Sequence, residues 1–266
     1  MRDERNGANG AMQPILQMKQ VEKHFGGVHA IDKFDLEVMP RSIYGLIGPN
    51  GAGKTTIFNT ITGIYTADAG QILFEGKDIT HIRPDQAAKI GIARTFQNIR
   101  LFGNLSVKMN VIIACNMHAR YNMADALLRL PRYHSVTRET EEKAMQFLES
   151  VGLTDKADDI ASSLPYGHQR KLEIARAMAT GPKLLLLDEP AAGMNEDESK
   201  ELVEFVLKLR DDYPITILMI EHHMDVVADL CEQCTVLDFG KTLASGSVAE
   251  VKKNEAVIAA YLGGEI

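Results

Sequence analysis

Gly48-Pro-Asn-Gly-Ala-Gly-Lys-Thr55 satisfies every fixed position of the pattern G-x-x-x-x-G-K-[ST]. The chemistry of such a loop is anion binding. Glycines let backbone N–H groups turn inward around phosphate oxygens, and the helix N-terminus that follows adds donors and a partial positive charge. Asn50, Gly51, Ala52 and Gly53 would form the cradle, with Thr56 beside it. Lys54 would reach the β- and γ-phosphates, and Thr55 would offer its hydroxyl to Mg2+. A second group, Leu184-Leu-Leu-Leu-Asp188-Glu189-Pro190, delivers two adjacent carboxylates at the end of an apolar run. Neighbouring side chains of a strand point to opposite faces, so the two acids have different jobs. Asp188 is read as the carboxylate on the Mg2+ side, and Glu189 as the group that positions or deprotonates attacking water. A third run, "ITILMIEHH", brings His222 to the same edge, where a histidine can donate to a γ-phosphate or to that water. Taken alone, His222 or His223 reads as a solvated loop residue, and Gln97 in "ARTFQNIRLF" has no meaning in isolation.

Groups so far apart in sequence meet only if strands deliver them. "IYGLI" (43–47) runs directly into the glycine loop, "KLLLLD" (183–188) ends at the paired acids, and "ITILMI" (215–220) ends before the histidines. Each is uniformly apolar, as strands of a parallel sheet covered on both faces are. Helices are expected at about 196–211 and 224–232, and a hairpin at 235–246. "ILQMKQV" (15–21), "FDLEV" (34–38) and "QILFE" (71–75) read as further strands. Between Asn98 and Ser163 the pattern turns helical, as in 137–153, where Ala144, Phe147, Leu148 and Val151 form one stripe. That stretch reads as a helical subdomain inserted in an α/β core.

The chain has 266 residues, 45% of them hydrophobic and 24% charged, which suits an ordinary globular protein and excludes disorder as its main theme. A net charge of −7 leaves no whole-chain electrostatic footprint for nucleic acid, and no nucleic-acid partner is expected. Cys115, Cys231 and Cys234 cannot make a disulfide framework, which fits a reducing cytosol. Cys231-Glu-Gln-Cys234 has zinc-ligand spacing but no second pair follows it, so a structural role is expected. Residues 1–13 read as a polar tail without the apolar stretch of a signal peptide. The apolar runs fall far below the ~20 residues that cross a bilayer, so any membrane span would come from another chain.

In this order, Gly48 to Thr55, Gln97, Leu164 to Gln169, Asp188-Glu189 and His222 resemble the ATP-binding subunit of ABC transporters. The phrases "RTFQNIRLF", "LPYGHQRKLEIARAM", "LLDEPAAGMN", "MIEHHMDVV" and "AYLGGEI" look, more narrowly, like the branched-chain amino acid uptake subfamily. The resemblance implies an α/β fold spanning 14–266. It has a P-loop NTPase core with a mostly parallel sheet, an antiparallel β subdomain, and a helical subdomain inserted at about 98–163. It implies ATP and Mg2+ as ligands, with Thr55, Gln97 and Asp188 on the metal and Phe25 stacked on adenine. Glu189 and His222 would be the catalytic residues.

The same resemblance gives Leu164, Pro165, Tyr166, Gly167, His168 and Gln169 the place of the signature loop, Leu-Ser-Gly-Gly-Gln in general, which faces the ATP on a second subunit. Pro165 lacks the serine hydroxyl and Tyr166 replaces a glycine, so backbone donors of a helix from about His168, after a Pro-Tyr-Gly bend, would carry the phosphate contact. Gly193 and Asn195 fall in the loop that crosses the dimer interface, with Asn195 where Asp is usual, and His223 likewise stands where Asp is common. The partners implied are a second ATP-binding subunit, identical or paralogous, transmembrane permease subunits docked on the helical insert around "NIRLFGNLSV", and, indirectly, an extracytoplasmic substrate-binding protein. The implied place is the cytoplasmic face of the inner membrane. Rival readings are an ABC ATPase energising a different substrate, a soluble ABC ATPase of repair or translation, and an unrelated P-loop kinase. Against the soluble class stand the single P-loop, the lack of sustained heptads and the acidic charge.

Overall fold

Leu184, Leu185, Leu186 and Leu187 are all fully buried, and alternate leucines enter two different hydrophobic cores. That alternation is the key to the architecture seen in the computed structural model, which describes residues 13–118, 121 and 123–262. The rest of the expected N-terminal tail and the last residues of "AYLGGEI" lie outside the described residues.

In chain order the strands are β1 (Leu16–Phe25), β2 (Val28–Val38), β3 (Ile43–Ile47), β4 (Ala69–Phe74), β5 (Lys77–Asp78), β6 (Ile92–Arg94), β7 (Leu184–Asp188), β8 (Thr216–Ile220), β9 (Gln233–Asp238) and β10 (Lys241–Ser247). The helices are α1 (Lys54–Ile61), α2 (Pro84–Lys89), α3 (Val107–Cys115), α4 (Met123–Leu127), α5 (Pro131–Ser150), α6 (Tyr166–Met178), α7 (Glu196–Asp212), α8 (Met224–Leu230), α9 (Val248–Val251) and α10 (Glu255–Leu262). One sheet, ordered β2-β1-β4-β5, is antiparallel. The other, ordered β10-β9-β3-β8-β7-β6, is parallel except at its β10 edge.

The parallel sheet sits between two cores. Leu184 and Leu186 of β7, Leu218 and Ile220 of β8, and Tyr44 and Leu46 of β3 pack with Phe34, Phe58 and Phe74 toward the antiparallel sheet and α1. Leu185, Leu187, Ile217, Met219, Ile43 and Ile47 face the other way, onto α5, α6, α7 and α8. Each such side chain, taken fully out of water, contributes about 1.5–3 kcal/mol before chain entropy is set against it. Ala144 and Leu148 of the expected stripe are fully buried, Val151 is nearly so, and Phe147 stacks on Tyr213. At the centre of the sheet, Gly45 has no room for a side chain, because a Cβ would lie 3.1 Å from Cys234 Cβ and 3.2 Å from Cys231 Sγ. Both cysteines are free and buried; burial pushes the Cys234 thiol up to about 11 and that of Cys231 higher still. The CxxC spacing therefore serves packing.

Three elements differ from their expected extents, the first being β2, which begins at Val28, six residues before the expected Phe34. Strand β1 runs on to Phe25, because register shifts after Met18 break the period-2 pattern that would have revealed it. Helix α6 starts at Tyr166 with Pro165 as its N-cap, so Tyr166 and Gly167 form its first turn and no Pro-Tyr-Gly bend precedes His168. Pro is compatible with that position since the first N–H groups of a helix need no intrahelical acceptor.

Candidate active site

The registers bring strand ends to one level: Leu46 lies beside Ile220, and Ile220 beside Asp188. β3 therefore releases the glycine loop where β7 releases the acids and β8 the histidines. This is the carboxyl edge at which open α/β sheets bind ligands. Asn50, Gly51, Ala52, Gly53, Lys54, Thr55, Thr56, Gln97, Glu189 and His222 all line one cleft there of about 330 Å3. Val28, His29, Ala30 and Phe239, which carry no recognisable motif, complete its wall.

Gly53, at φ +105°, must be glycine for the protein's own sake, since a Cβ would sit 2.3 Å from the Ala30 carbonyl oxygen. Gly51, at φ +79°, has open space where its side chain would be, and that space belongs to the cleft. Lys54 opens α1, whose first turn has no acidic residue. Its Nζ donates to the Gly48 and Pro49 carbonyls at 2.6 and 2.8 Å, so the ammonium is held at the loop. Burial pushes its pKa down to about 8, partly opposed by the negative charges of Glu189 and Asp188.

Glu189 collects the other predicted groups. Gln97 Nε2 donates to its Oε2 at 2.8 Å, and His222 Nε2 lies 2.6 Å from its Oε1. Its backbone is left-handed at φ +47°, a conformation that costs about 1 kcal/mol or more outside glycine and occurs at functional turns. A carboxylate held this way, open to the cleft, can orient a water and accept its proton. Asp188 is buried, and Arg94 Nη2 donates to its Oδ2 at 2.6 Å. The Arg94 guanidinium also donates to Asn59 Oδ1 at 2.5 Å and lies over the rings of Phe58 and Phe96.

Sequence reasoning missed two supports. Arg94 stands on a three-residue strand without periodicity. Glu221, almost wholly buried, reads as one more solvated acid before two histidines, yet its carboxylate accepts from the backbone N–H groups of Ala191, His222 and His223, and lies 3.1 Å from His223 Nδ1.

The remaining predicted residues lie outside this cleft. Phe25, at the end of β1, is exposed and meets Tyr65 edge-on at 5.0 Å. Leu164 is a core residue whose carbonyl accepts from Gln169 Nε2 at 2.8 Å. Pro165 and Tyr166 are exposed, and His168 is partly buried. A Cβ on Gly167 would meet nothing closer than Glu198 Oε1 at 3.5 Å, so its own chain does not require glycine there. Asn195 caps α7: its Oδ1 accepts from Glu198 N at 2.9 Å while the Glu198 carboxylate accepts from Asn195 N at 3.0 Å. A Cβ on Gly193, at φ +78°, would lie 3.7 Å from the Tyr166 ring.

A phosphate-binding loop at a parallel-sheet edge, with a carboxylate, a glutamine and a histidine gathered opposite it, defines a nucleotide-hydrolysing site, and the chain belongs to the ABC transporter family, whose model matches residues 31–192. A second model, that of the branched-chain amino acid ATP-binding cassette transporter, matches residues 241–266. The chain is 41% identical over 251 residues to the high-affinity branched-chain amino acid transport ATP-binding protein LivG of Escherichia coli K12, covering 94% of this chain and 98% of LivG. It is 40% identical over the same length to the corresponding protein BraF of Pseudomonas aeruginosa, again covering 94% and 98%. The solved ADP conformation of MJ1267, an ATP-binding cassette of an ABC transporter, superposes with a TM-score of 0.82 at 31% identity, covering 94% of this chain and 99% of that one. The protein is a nucleotide-binding ATPase with the expected α/β fold.

Proposed function

We propose that this chain is the ATP-hydrolysing subunit of an importer of branched-chain or closely similar hydrophobic amino acids. The observation that carries the reading is the convergence of Gln97 and His222 on Glu189 across the cleft from Lys54. Lys54 and the loop amides bind the β- and γ-phosphates, Glu189 orients and deprotonates the attacking water, and His222 holds Glu189 and reaches the γ-phosphate. Thr55 and Gln97, which line the cleft, and Asp188, buried next to it against Arg94, would supply hard oxygen donors to Mg2+, which would neutralise phosphate charge. Phosphate oxygens and water would fill the remaining positions around such an ion, as is usual for Mg2+. Phe25, exposed beside Tyr65 at the end of β1, would stack on the base.

The substrate class is supported by the C-terminal family match and by the names of the relatives. Two copies, or this chain and a paralogue, would close on ATP with Leu164 to Gln169 of each facing the nucleotide of the other. Helix α6 has no acidic residue in its first turn, which suits an approaching phosphate. Gly193 and Asn195 lie beside that surface. Permease subunits would dock where the stretch 98–107 meets the core: an apolar cleft of about 380 Å3 there is lined by Phe102, Ile113, Ala87 and Ile92. No helix among the described residues is long and apolar enough to cross a membrane, consistent with a peripheral subunit at the cytoplasmic face. The insert of about 98–163 would act as a lever between permease and nucleotide. An extracytoplasmic binding protein would select the amino acid.

The test is complementation of leucine, isoleucine and valine uptake in cells lacking the chain, with purified ATPase activity in parallel. Wild type restores uptake; Glu189→Gln abolishes both uptake and hydrolysis, while keeping MgATP bound and shifting the protein to a dimer on size exclusion. Near-normal hydrolysis by Glu189→Gln would remove the catalytic assignment. Restored ATPase without amino acid uptake would remove the transport one.

A further inference from the structure

Arg170, in the second turn of α6, is fully buried and has an unusual set of partners. Its Nη1 donates to the Phe96 carbonyl at 2.7 Å and to Glu173 Oε2 at 3.0 Å. Its Nη2 donates to the Gln97 carbonyl at 2.8 Å and to the Tyr166 hydroxyl at 3.0 Å. Glu173, equally buried, accepts from the backbone N–H of Arg100 through Oε1 at 3.1 Å. A buried ion pair is a poor source of net stability, because desolvating both charges offsets their attraction. What a guanidinium fork does supply is geometry, by fixing several acceptors in one plane.

The geometry here is a clasp on the loop that carries Gln97. Two successive carbonyls and one N–H of residues 96–100 are tied to α6, while the Gln97 side chain reaches the other way to Glu189. The fourth partner comes from the first turn of the same helix: Tyr166. We propose that Arg170, completed by Tyr166, is a positioning residue for hydrolysis. It makes the start of α6 and the Gln97 loop shift as one body, so that a contact made at the exposed end of α6 reaches Glu189 through Gln97. A glycine at 166 could not reach Arg170, and the clasp gives the tyrosine its purpose. The inference rests on the reading that Gln97 acts at the nucleotide.

The experiment compares Tyr166→Phe, Arg170→Lys, Arg170→Gln and Gln97→Ala with wild type in the full chain. It measures kcat and KM for MgATP, equilibrium ATP affinity, and amide hydrogen exchange over residues 96–100. Tyr166→Phe keeps the ring and loses one hydrogen bond, so kcat should fall about three- to tenfold with ATP affinity unchanged and exchange at 96–100 faster. Arg170→Gln should fall further on both counts, and Arg170→Lys, which keeps the charge but not the fork, should lie between. Where an Arg170 variant fails to fold, Tyr166→Phe decides. Unchanged kcat, or lowered kcat with unchanged exchange at 96–100, overturns the clasp. Unimpaired hydrolysis in Gln97→Ala instead overturns the reading of Gln97 on which it stands, and the two failures are distinct.

Discussion

On the proposed reading, Lys54 is the residue whose ammonium meets the phosphates, and its burial prepares it for them. Removing it in Lys54→Ala deletes charge-assisted hydrogen bonds of about 1.5–3 kcal/mol, so ATP affinity should drop roughly tenfold to a hundredfold. Its titration gives a sharper test. Burial brings the pKa from the ordinary 10.5 down to about 8 in the free protein, and bound phosphate, being negative, raises it again. The protonated form is the one that binds, so affinity should be flat below about pH 7 and decline as pH rises through 8, by at most about tenfold per unit. Folding stability has the opposite sign. Between 8 and 10.5 the unfolded chain binds the proton that the folded one has released, so this residue's destabilising effect is full below 8 and fades as pH rises through that window. Nucleotide titrations across this range check the first, with Lys54→Ala expected to flatten the curve; a pH-independent wild type would show that the ammonium is not what the phosphates meet.

At the level of elements, the site depends on loops tied to one another after the strands end. Glu221 follows β8 yet holds Ala191 in the turn after β7, as well as His222 and His223. Glu221→Ala should leave those N–H groups without their acceptor, at about 1–3 kcal/mol for each that stays dry, and release His222 from its place beside Glu189. The denaturant midpoint and kcat should fall together; a variant of unchanged stability would mean that water replaces the carboxylate at no cost. This also shows what the sequence could disclose. The three strands that bear the glycine loop, Asp188-Glu189 and His222 were legible because burial on both faces demands uninterrupted apolar runs. Glu221, Arg94 and Arg170 were not, because each takes a partner from a distant segment, Ala191, Asp188 and the Phe96 and Gln97 carbonyls respectively, which its own neighbours do not announce. The start of α6 was misread for a related reason: Gly167 has an ordinary helical backbone, and a glycine in a first turn looks, in sequence, the same as one in a bend.

At the scale of the whole molecule, the two cores share the parallel sheet as a common wall, so neither can open far without loosening the other. Cys231 and Cys234 are packed against Gly45 on that wall, where β9 meets β3, the strand that leads into the phosphate loop. Cys115, on α3, is only partly buried. A thiol reagent attacks the thiolate, which burial suppresses at all three cysteines but more strongly at the inner pair than at Cys115. Timed alkylation followed by mass spectrometry should therefore modify Cys115 first and the inner pair only when β9 parts from β3. If nucleotide binds the folded state beside β3, as proposed, MgATP should lengthen the delay. Labelling of all three at one rate would contradict the packing around Gly45. With the expected order, the spacing that imitates a zinc site becomes a chemical stopwatch, read without added probes, for how often the sheet beneath the nucleotide comes apart.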